Sequence, residues 1–182
     1  GYEEGEALGH EGTGRCTRCN ELIPITGSGC GDGVVTNIDV PDQQSIWVIH
    51  FTHTGRSNFI VHSYDADGDK DYLVNEIGNY DGVVLVLGNF PLTLNVEAGG
   101  NWTYEVYALD RTSETSFSGH DDFVTPISGV SAKVWHFSHS GSRHFAVWGW
   151  TSEGRDLLVN ETGQYDADQV FVIPSGSNVF FE

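Results

Sequence analysis

The chain has 182 residues, and its 26 acidic and 8 basic side chains give a formal net charge of −18. A field of that sign repels phosphate backbones and the anionic face of a bilayer, which argues against nucleic acid as a partner and against membrane insertion. Apolar residues make up 38% of the sequence and aromatic residues 12%. That is enough to build packed cores, so the composition excludes general disorder.

Residues 1–26 form an N-terminal segment that belongs to neither of the two repeats described below. The chain begins at Gly1 rather than Met, and it contains no signal peptide or apolar run long enough to span a membrane. We therefore expect a processed start, as in a mature exported protein, although a trimmed sequence would look the same. This expectation favours an extracellular or cell-surface location.

The N-terminal segment carries a C-T-R-C motif formed by Cys16 and Cys19. Together with His10 and Cys30 these residues make a Cys₃His set of the kind that holds zinc, and the segment resembles a zinc-knuckle fragment. In an oxidising compartment Cys16 and Cys19 would instead form a disulfide. Zinc, a disulfide and free thiols therefore all remain open.

The most informative feature of the sequence is an internal repeat. The segment from Val48 to Asp81 aligns with the segment from Val134 to Asp166, with a one-residue gap at Asp69, and about half of the aligned positions are identical. Similarity of that extent indicates that the two segments share one fold. With only two copies, the sequence predicts a tandem pair of domains, over residues 27–110 and 111–182, rather than a solenoid.

Each repeat has the pattern of short β-strands. Between Phe59 and Tyr64, apolar or aromatic side chains alternate with their neighbours at a period of two, and the aligned segment of the second repeat does the same. The pairs Asp67-Gly68 and Glu153-Gly154 then supply residues that tolerate a hairpin turn. No stretch has helical periodicity. The sequence therefore predicts an all-β protein made of two tandem β-sandwich domains, jelly-roll-like, after a short N-terminal segment.

A pair of histidines recurs in the repeats, His50 with His53 and His136 with His139. The H-x-x-H spacing is found at metal sites on helices, but residues three apart on a strand point to opposite faces. The favoured interpretation is therefore that these histidines maintain the fold.

The first repeat also carries an acidic turn, D-A-D-G-D-K-D, whose carboxylates belong to Asp65, Asp67, Asp69 and Asp71. Carboxylate oxygens on a tight turn are ligands that calcium prefers, and clustered carboxylates without a cation repel one another. The aligned turn of the second repeat lacks most of them. The two hypotheses are a calcium site and a solvated acidic hairpin.

Aromatic side chains recur on one face of a predicted strand. Trp148 and Trp150 lie on the face opposite Phe145, and their counterparts in the first repeat are His62 and Tyr64. If Phe145 faces the core, these four side chains face outward, where flat rings stack on sugars or on a partner protein. The alternative is that a neighbouring domain or subunit covers this face.

The two repeats differ at their C-terminal ends. The first repeat continues into N-W-T-Y-E-V, from Asn101 to Val106, whose alternation predicts a final strand. The sequence ends at Glu182 without an equivalent, so we expect domain 2 to lack that strand. An open edge of this kind pairs with a strand from another chain, and residues 21–26 of the next subunit are the candidate donor, although Pro24 disfavours them. Closure of domain 2 with fewer strands is the alternative.

The repeated motifs resemble a module of exported and envelope-attached prokaryotic proteins, and they are similar in outline to pre-peptidase C-terminal type domains. The similarity rests on G-S-G, H-F-[TS]-H-[TS]-G, D-x-L-V-N-E-x-G-x-Y-D and N-W-T-Y-E-V, and it covers about residues 27–106 and 116–182. It implies a β-sandwich accessory domain outside the cytoplasm, and it implies no catalytic residues.

Taken together, these patterns predict a non-enzymatic, extracellular structural protein that associates with itself as a surface or filament subunit. No paired acid and base and no activated nucleophile is recognisable in the sequence. The alternative is a carbohydrate- or ligand-binding accessory module that uses the aromatic face.

Overall fold

The computed structural model confirms that the protein is all-β, with antiparallel sheets and no helix among the residues that it describes. The chain divides into two compact units whose boundary lies between Leu109 and Asp110. The described residues are 24–41, 46–110, 112–114, 116–127, 133–151, 154–173 and 179–181.

The described residues of unit 1 form eight strands in two four-stranded antiparallel sheets, with the strand orders β1-β8-β3-β6 and β2-β7-β4-β5. The first strand begins at Ile25, so the last two residues of the predicted N-terminal segment belong to it. The strands are β1 (Ile25–Cys30), β2 (Gly33–Ile38), β3 (Ile46–Thr54), β4 (Asn58–Tyr64), β5 (Lys70–Ile77), β6 (Tyr80–Leu85), β7 (Leu92–Ala98) and β8 (Asn101–Leu109).

The two sheets of unit 1 share one core, because alternate side chains of each strand face the other sheet. Phe51 of β3 and Phe59 of β4 are fully buried and meet edge to face, with ring centroids 6.2 Å apart. The predicted final strand is present as β8, and its Trp102, Tyr104 and Val106 are buried in this core. Each such large side chain contributes about 1.5–3 kcal/mol by leaving water.

The turn predicted at Asp67-Gly68 joins β4 to β5, and Gly68 has a φ of 85°, a conformation that side chains with a Cβ rarely adopt. The β4–β5 ladder contains a bulge between Val61 and His62. The β11–β12 ladder of unit 2 contains a bulge at the equivalent position, between Val147 and Trp148. The two repeats therefore share a local irregularity that the sequence pattern did not predict.

Unit 2 contains six strands among the described residues, in a four-stranded sheet with the order β12-β11-β14-β9 and a two-stranded sheet made of β10 and β13. The pairings between these strands are all antiparallel, and an isolated parallel bridge joins Thr112 to Ile127 of β9. The strands are β9 (Thr125–Ile127), β10 (Lys133–His139), β11 (His144–Thr151), β12 (Gly154–Thr162), β13 (Tyr165–Phe171) and β14 (Val179–Phe181).

The two units have the same strand order where they can be compared. The sheet β12-β11-β14-β9 corresponds to β5-β4-β7-β2 of unit 1, and the pair β10-β13 corresponds to β3-β6. The described residues of unit 2 provide no counterpart of β8 and none of β1. One edge of β10 therefore has no neighbouring strand in the described part of the chain.

Candidate functional site

The histidine pairs divide between the two faces of their strand, as the strand geometry predicts. His53 is 1% exposed, and its Nδ1 lies 2.6 Å from the carbonyl oxygen of Gly78. Its ring stacks on Phe59, with centroids 4.6 Å apart and an interplanar angle of 6°. An imidazole that donates from Nδ1 to a carbonyl and packs on a ring is a structural element.

The same arrangement recurs in unit 2. His139 Nδ1 lies 2.9 Å from the carbonyl oxygen of Gly163, and the ring stacks on Phe145 with centroids 4.7 Å apart. Gly78 and Gly163 have φ values of 99° and 93°, which explains why a glycine recurs at this turn. The repeated H-[TS]-G and E-x-G-x-Y motifs thus contact each other through the hydrogen bond from the histidine to the glycine carbonyl oxygen. This bond connects two turns in each unit.

The other histidine of each pair lies on the outer face beside carboxylates. His50 Nε2 is 2.7 Å from Asp81 Oδ1, and its Nδ1 is 4.0 Å from Glu105 Oε2. His136 Nδ1 is 2.9 Å from Asp168 Oδ1. Exposed pairs of this kind contribute about 0–1 kcal/mol each.

The acidic turn of unit 1 is organised around Asp65. Its Oδ1 accepts the backbone N–H groups of Asp67 and Asp69, both at 2.9 Å, and its Oδ2 accepts that of Asn89 at 3.2 Å. These bonds, that from Asn89 foremost, hold the pKa of the Asp65 carboxyl below its ordinary value. Asp65 therefore fixes the β4–β5 turn against the loop that contains Asn89.

Two of the other carboxylates in this turn also accept protein hydrogen bonds. Asp67 Oδ2 accepts the side-chain amide of Asn89 at 2.8 Å, and Asp71 Oδ1 accepts the N–H of Tyr72 at 2.9 Å. Among the described residues, no group of three or more histidine, cysteine, aspartate or glutamate side chains is arranged to hold a metal ion. The calcium interpretation stays a prediction. Of the four carboxylates, that of Asp69 is the one for which no hydrogen bond is described above.

The predicted zinc ligands are divided by the limits of the described structure. His10, Cys16 and Cys19 lie outside the described residues. Cys30 is exposed at the end of β1. The zinc and disulfide interpretations of these cysteines therefore stay predictions.

The outward aromatic residues lie under a cation in both units. Lys70 Nζ is 4.7 Å from the ring centroid of Tyr72 and 5.9 Å from that of Tyr64. In unit 2, Arg155 lies 4.3 Å from the ring centroid of Trp148 and 5.1 Å from that of Trp150. In the repeat alignment, Lys70 corresponds to Arg155 and Tyr64 to Trp150. Both units therefore place a cation over two aromatic rings, although the residues differ.

His62 is the exception within this aromatic face. It is 6% exposed and lies edge-on against Tyr72, with ring centroids 4.2 Å apart. Both of its ring nitrogens are buried without a hydrogen-bond partner in the described structure. Tyr72, which is 65% exposed, covers it, so His62 is not itself a surface for a ligand.

The largest difference between the units lies along β10. The inward side chains of β3, Ile49 and Phe51, are fully buried. Their counterparts Trp135 and Phe137 on β10 are only partly buried, although they pack against the core of unit 2. The Nε1 atom of Trp135 is itself buried and has no hydrogen-bond partner in the described structure. Among the described residues, no strand covers the core of unit 2 on the side where β8 lies in unit 1.

The outer face shows the same difference. Val48 of β3 and Leu85 of β6 pair across the strands and are 0% and 4% exposed. Their counterparts Val134 and Val170 pair in the same way and are 60% and 71% exposed. In unit 1, Tyr107 of β8 lies directly opposite Val48. Sequence reasoning missed this patch, because aligned valines carry no sign of what covers them in the folded chain.

Comparison with known proteins adds no family to this description. No family model, no curated protein and no solved structure matches the chain. Within the described residues, no helix has the length and apolarity needed to cross a membrane.

Proposed function

We propose that the protein is a non-enzymatic, self-associating structural subunit made of two tandem β-sandwich domains of the jelly-roll type. The strand orders β1-β8-β3-β6 and β2-β7-β4-β5 support the jelly-roll assignment for unit 1, since both sheets contribute to one core. The equivalent strands of unit 2 follow the same order. The resemblance to exported modules supports a place at the cell surface or in an extracellular filament.

The single observation that carries this proposal is that one edge of β10 has no neighbouring strand in the part of the chain that the structure describes. A strand added beside β10 would pair with its free backbone groups and cover Trp135 and Phe137 from inside and Val134 from outside. Exposed edges and apolar patches of this kind mark association sites, and added strands are an established mode of recognition. A strand supplied by a neighbouring copy makes the protein polymerise, because the contact is head to tail.

The test is self-association of the full chain, measured by sedimentation velocity over a wide concentration range and by electron microscopy. We expect larger species at high concentration, together with slower hydrogen exchange at the backbone amides of β10 in the assembled sample. A peptide that copies Ala98 to Val106 should bind the monomer and inhibit assembly. A monomer at every concentration, with β10 already protected when dilute, contradicts the proposal.

A second candidate function is glycan binding by the aromatic face, which the recurrence of a cation over two rings favours. A sugar would stack on the rings exposed beside Lys70 or Arg155. Pull-down of the monomer on immobilised glycans tests it, with Trp150→Ala and Tyr72→Ala as the variants. Binding that both variants leave unchanged excludes this face.

A further inference from the structure

Edge strands of soluble proteins are normally guarded by charges, proline or bulges, because an unguarded edge pairs with another chain. Six of the eight sheet edges in the described structure have such a guard. Acidic residues lie on β6 and β13, Pro126 lies on β9, and charged residues together with a bulged ladder protect β5 and β12. The ladder of β2 is irregular between Val35 and Ile38, and Asn37 has a φ of 58°.

The two remaining edges belong to β1 and β10. Strand β1 reads I-T-G-S-G-C, without a charge, a proline or a break in its register against β8. Strand β10 reads K-V-W-H-F-S-H and its register against β13 is unbroken; beyond the lysine at its first position, residues 134–139 include no lysine, arginine, carboxylate or proline. Among the described residues, each unit therefore has one edge with six consecutive residues that carry no such guard, 25–30 on β1 and 134–139 on β10.

The inner face of β1 has a feature that suits the open side of unit 2. Gly27 and Gly29 leave room for the rings of Tyr104 and Trp102, which lie where side chains at these two positions would point. Trp102 is held there because its Nε1 donates to the carbonyl oxygen of Gly31 at 2.8 Å. The large rings of β8 thus extend across β1 towards its free edge.

We propose that β1 of a second copy pairs with β10 of the first, and this inference rests on the self-association proposed above. The joined sheet would have the order β13-β10-β1-β8-β3-β6, in which the last four strands belong to the second copy. Trp102 and Tyr104 of that copy then approach Trp135 and Phe137, the partly buried rings of unit 2. The contact joins two different surfaces, so it extends into a filament rather than closing as a dimer.

The experiment uses one lysine substitution on each edge of the full chain. Ser28→Lys and Val134→Lys alter exposed side chains of β1 and β10, and lysine is the charge that natural edges use as a guard. We expect each variant alone to remain monomeric at concentrations at least about tenfold above those at which the wild type assembles, which corresponds to ~1.4 kcal/mol. Matched controls on guarded edges, Thr36→Lys on β2 and Leu157→Lys on β12, should assemble as the wild type does.

Mixing the two variants gives the decisive result. Ser28→Lys keeps an intact β10 and Val134→Lys keeps an intact β1, so an equimolar mixture should form a heterodimer and nothing larger. Native mass spectrometry with one variant isotopically labelled measures this directly. All four variants should keep the wild-type far-ultraviolet circular dichroism and melting temperature, which shows that loss of assembly is not loss of folding.

Other outcomes overturn the proposal in recognisable ways. If Ser28→Lys still dimerises alone, two β10 edges pair with each other. If the wild type assembles and Val134→Lys alone prevents it, while Ser28→Lys assembles fully, another segment is the donor and the proposed function survives without this inference. If the wild type remains monomeric at all concentrations, both the proposed self-association and the pairing of β1 with β10 are wrong.

Discussion

The two units of this protein have the same strand order but not the same closure, since the described residues of unit 2 provide no counterpart of β8 or β1. In unit 1, β8 lies between β1 and β3, and the inward rings of β3 are sealed from water. In unit 2, the described residues place nothing beside β10, and the equivalent rings are partly exposed. The comparison teaches that the repeated motifs specify the local strands and turns, whereas burial depends on neighbours that the motifs do not contain.

The largest expected effect comes from removing the phenylalanine that stacks on the buried histidine. Phe59→Ala should lower the free energy of unfolding of unit 1 by about 3–5 kcal/mol, since the ring is fully buried. The equivalent Phe145→Ala should cost unit 2 only roughly 1–2 kcal/mol, because that ring is partly exposed. Denaturant-dependent hydrogen exchange reports each unit separately. Equal costs would show that the core of unit 2 is as closed as that of unit 1.

A smaller but more specific contrast is expected at the glycine beside each stacked histidine. A Cβ at Gly55 would lie 2.6 Å from His53 Cε1, and one at Gly141 would lie 2.5 Å from His139 Nε2. His53 is sealed in and cannot yield, so Gly55→Ala should cost ~1–3 kcal/mol.

His139 is partly exposed and has room to move, so Gly141→Ala should cost less than ~1 kcal/mol. The melting curves of the two variants provide the measurement. If Gly141→Ala lowers stability as much as Gly55→Ala does, His139 does not have the room to move that its partial exposure implies.

The third contrast depends on pH, because only unit 1 has an aspartate that fixes its β4–β5 turn. The folded-state pKa of Asp65 is lowered by backbone N–H bonds, so its stabilisation is present above the unfolded pKa of about 3.9 and is lost as pH falls through the folded value. Asp65→Asn should therefore destabilise unit 1 at pH 6, and the difference from wild type should shrink below about pH 4.

Unit 2 has Thr151 at the equivalent position, so its stability should be unchanged in this variant at any pH. Urea titrations of both proteins between pH 3 and 7 measure the difference. A constant difference across that range would show that the Asp65 charge has no part in fixing the turn.

The smallest expected effect is that of calcium on the acidic turn. If the calcium interpretation is right, excess Ca²⁺ should raise the melting temperature of wild type relative to chelator, by mass action on the native state. Asp69→Asn should reduce the shift, and Asp156→Asn, in the equivalent hairpin of unit 2, should preserve it. Equal shifts in wild type and Asp69→Asn exclude this turn.

Much of the local structure could be predicted from particular residues. Alternation around Phe59 and Phe145 predicted strands, Asp67-Gly68 predicted a turn, and the spacing of His50 and His53 predicted side chains on opposite faces. These features depend on backbone geometry over a few residues. Of the candidate donor segment, residues 21–23 lie outside the described structure, and Ile25 and Thr26 pair with β8 of their own unit.

By itself, the sequence determined the all-β class, the periodicity of the strands and the positions of the glycines that turns require, since each depends on local backbone conformation. Only the tertiary structure decided what the repeated histidines contact, because His53 meets Gly78 through a turn that is distant in sequence. It also decided that Val48 is buried while the aligned Val134 is exposed. The physical reason is that burial depends on which other parts of the folded chain pack on a residue, and two identical valines in aligned positions do not encode those contacts.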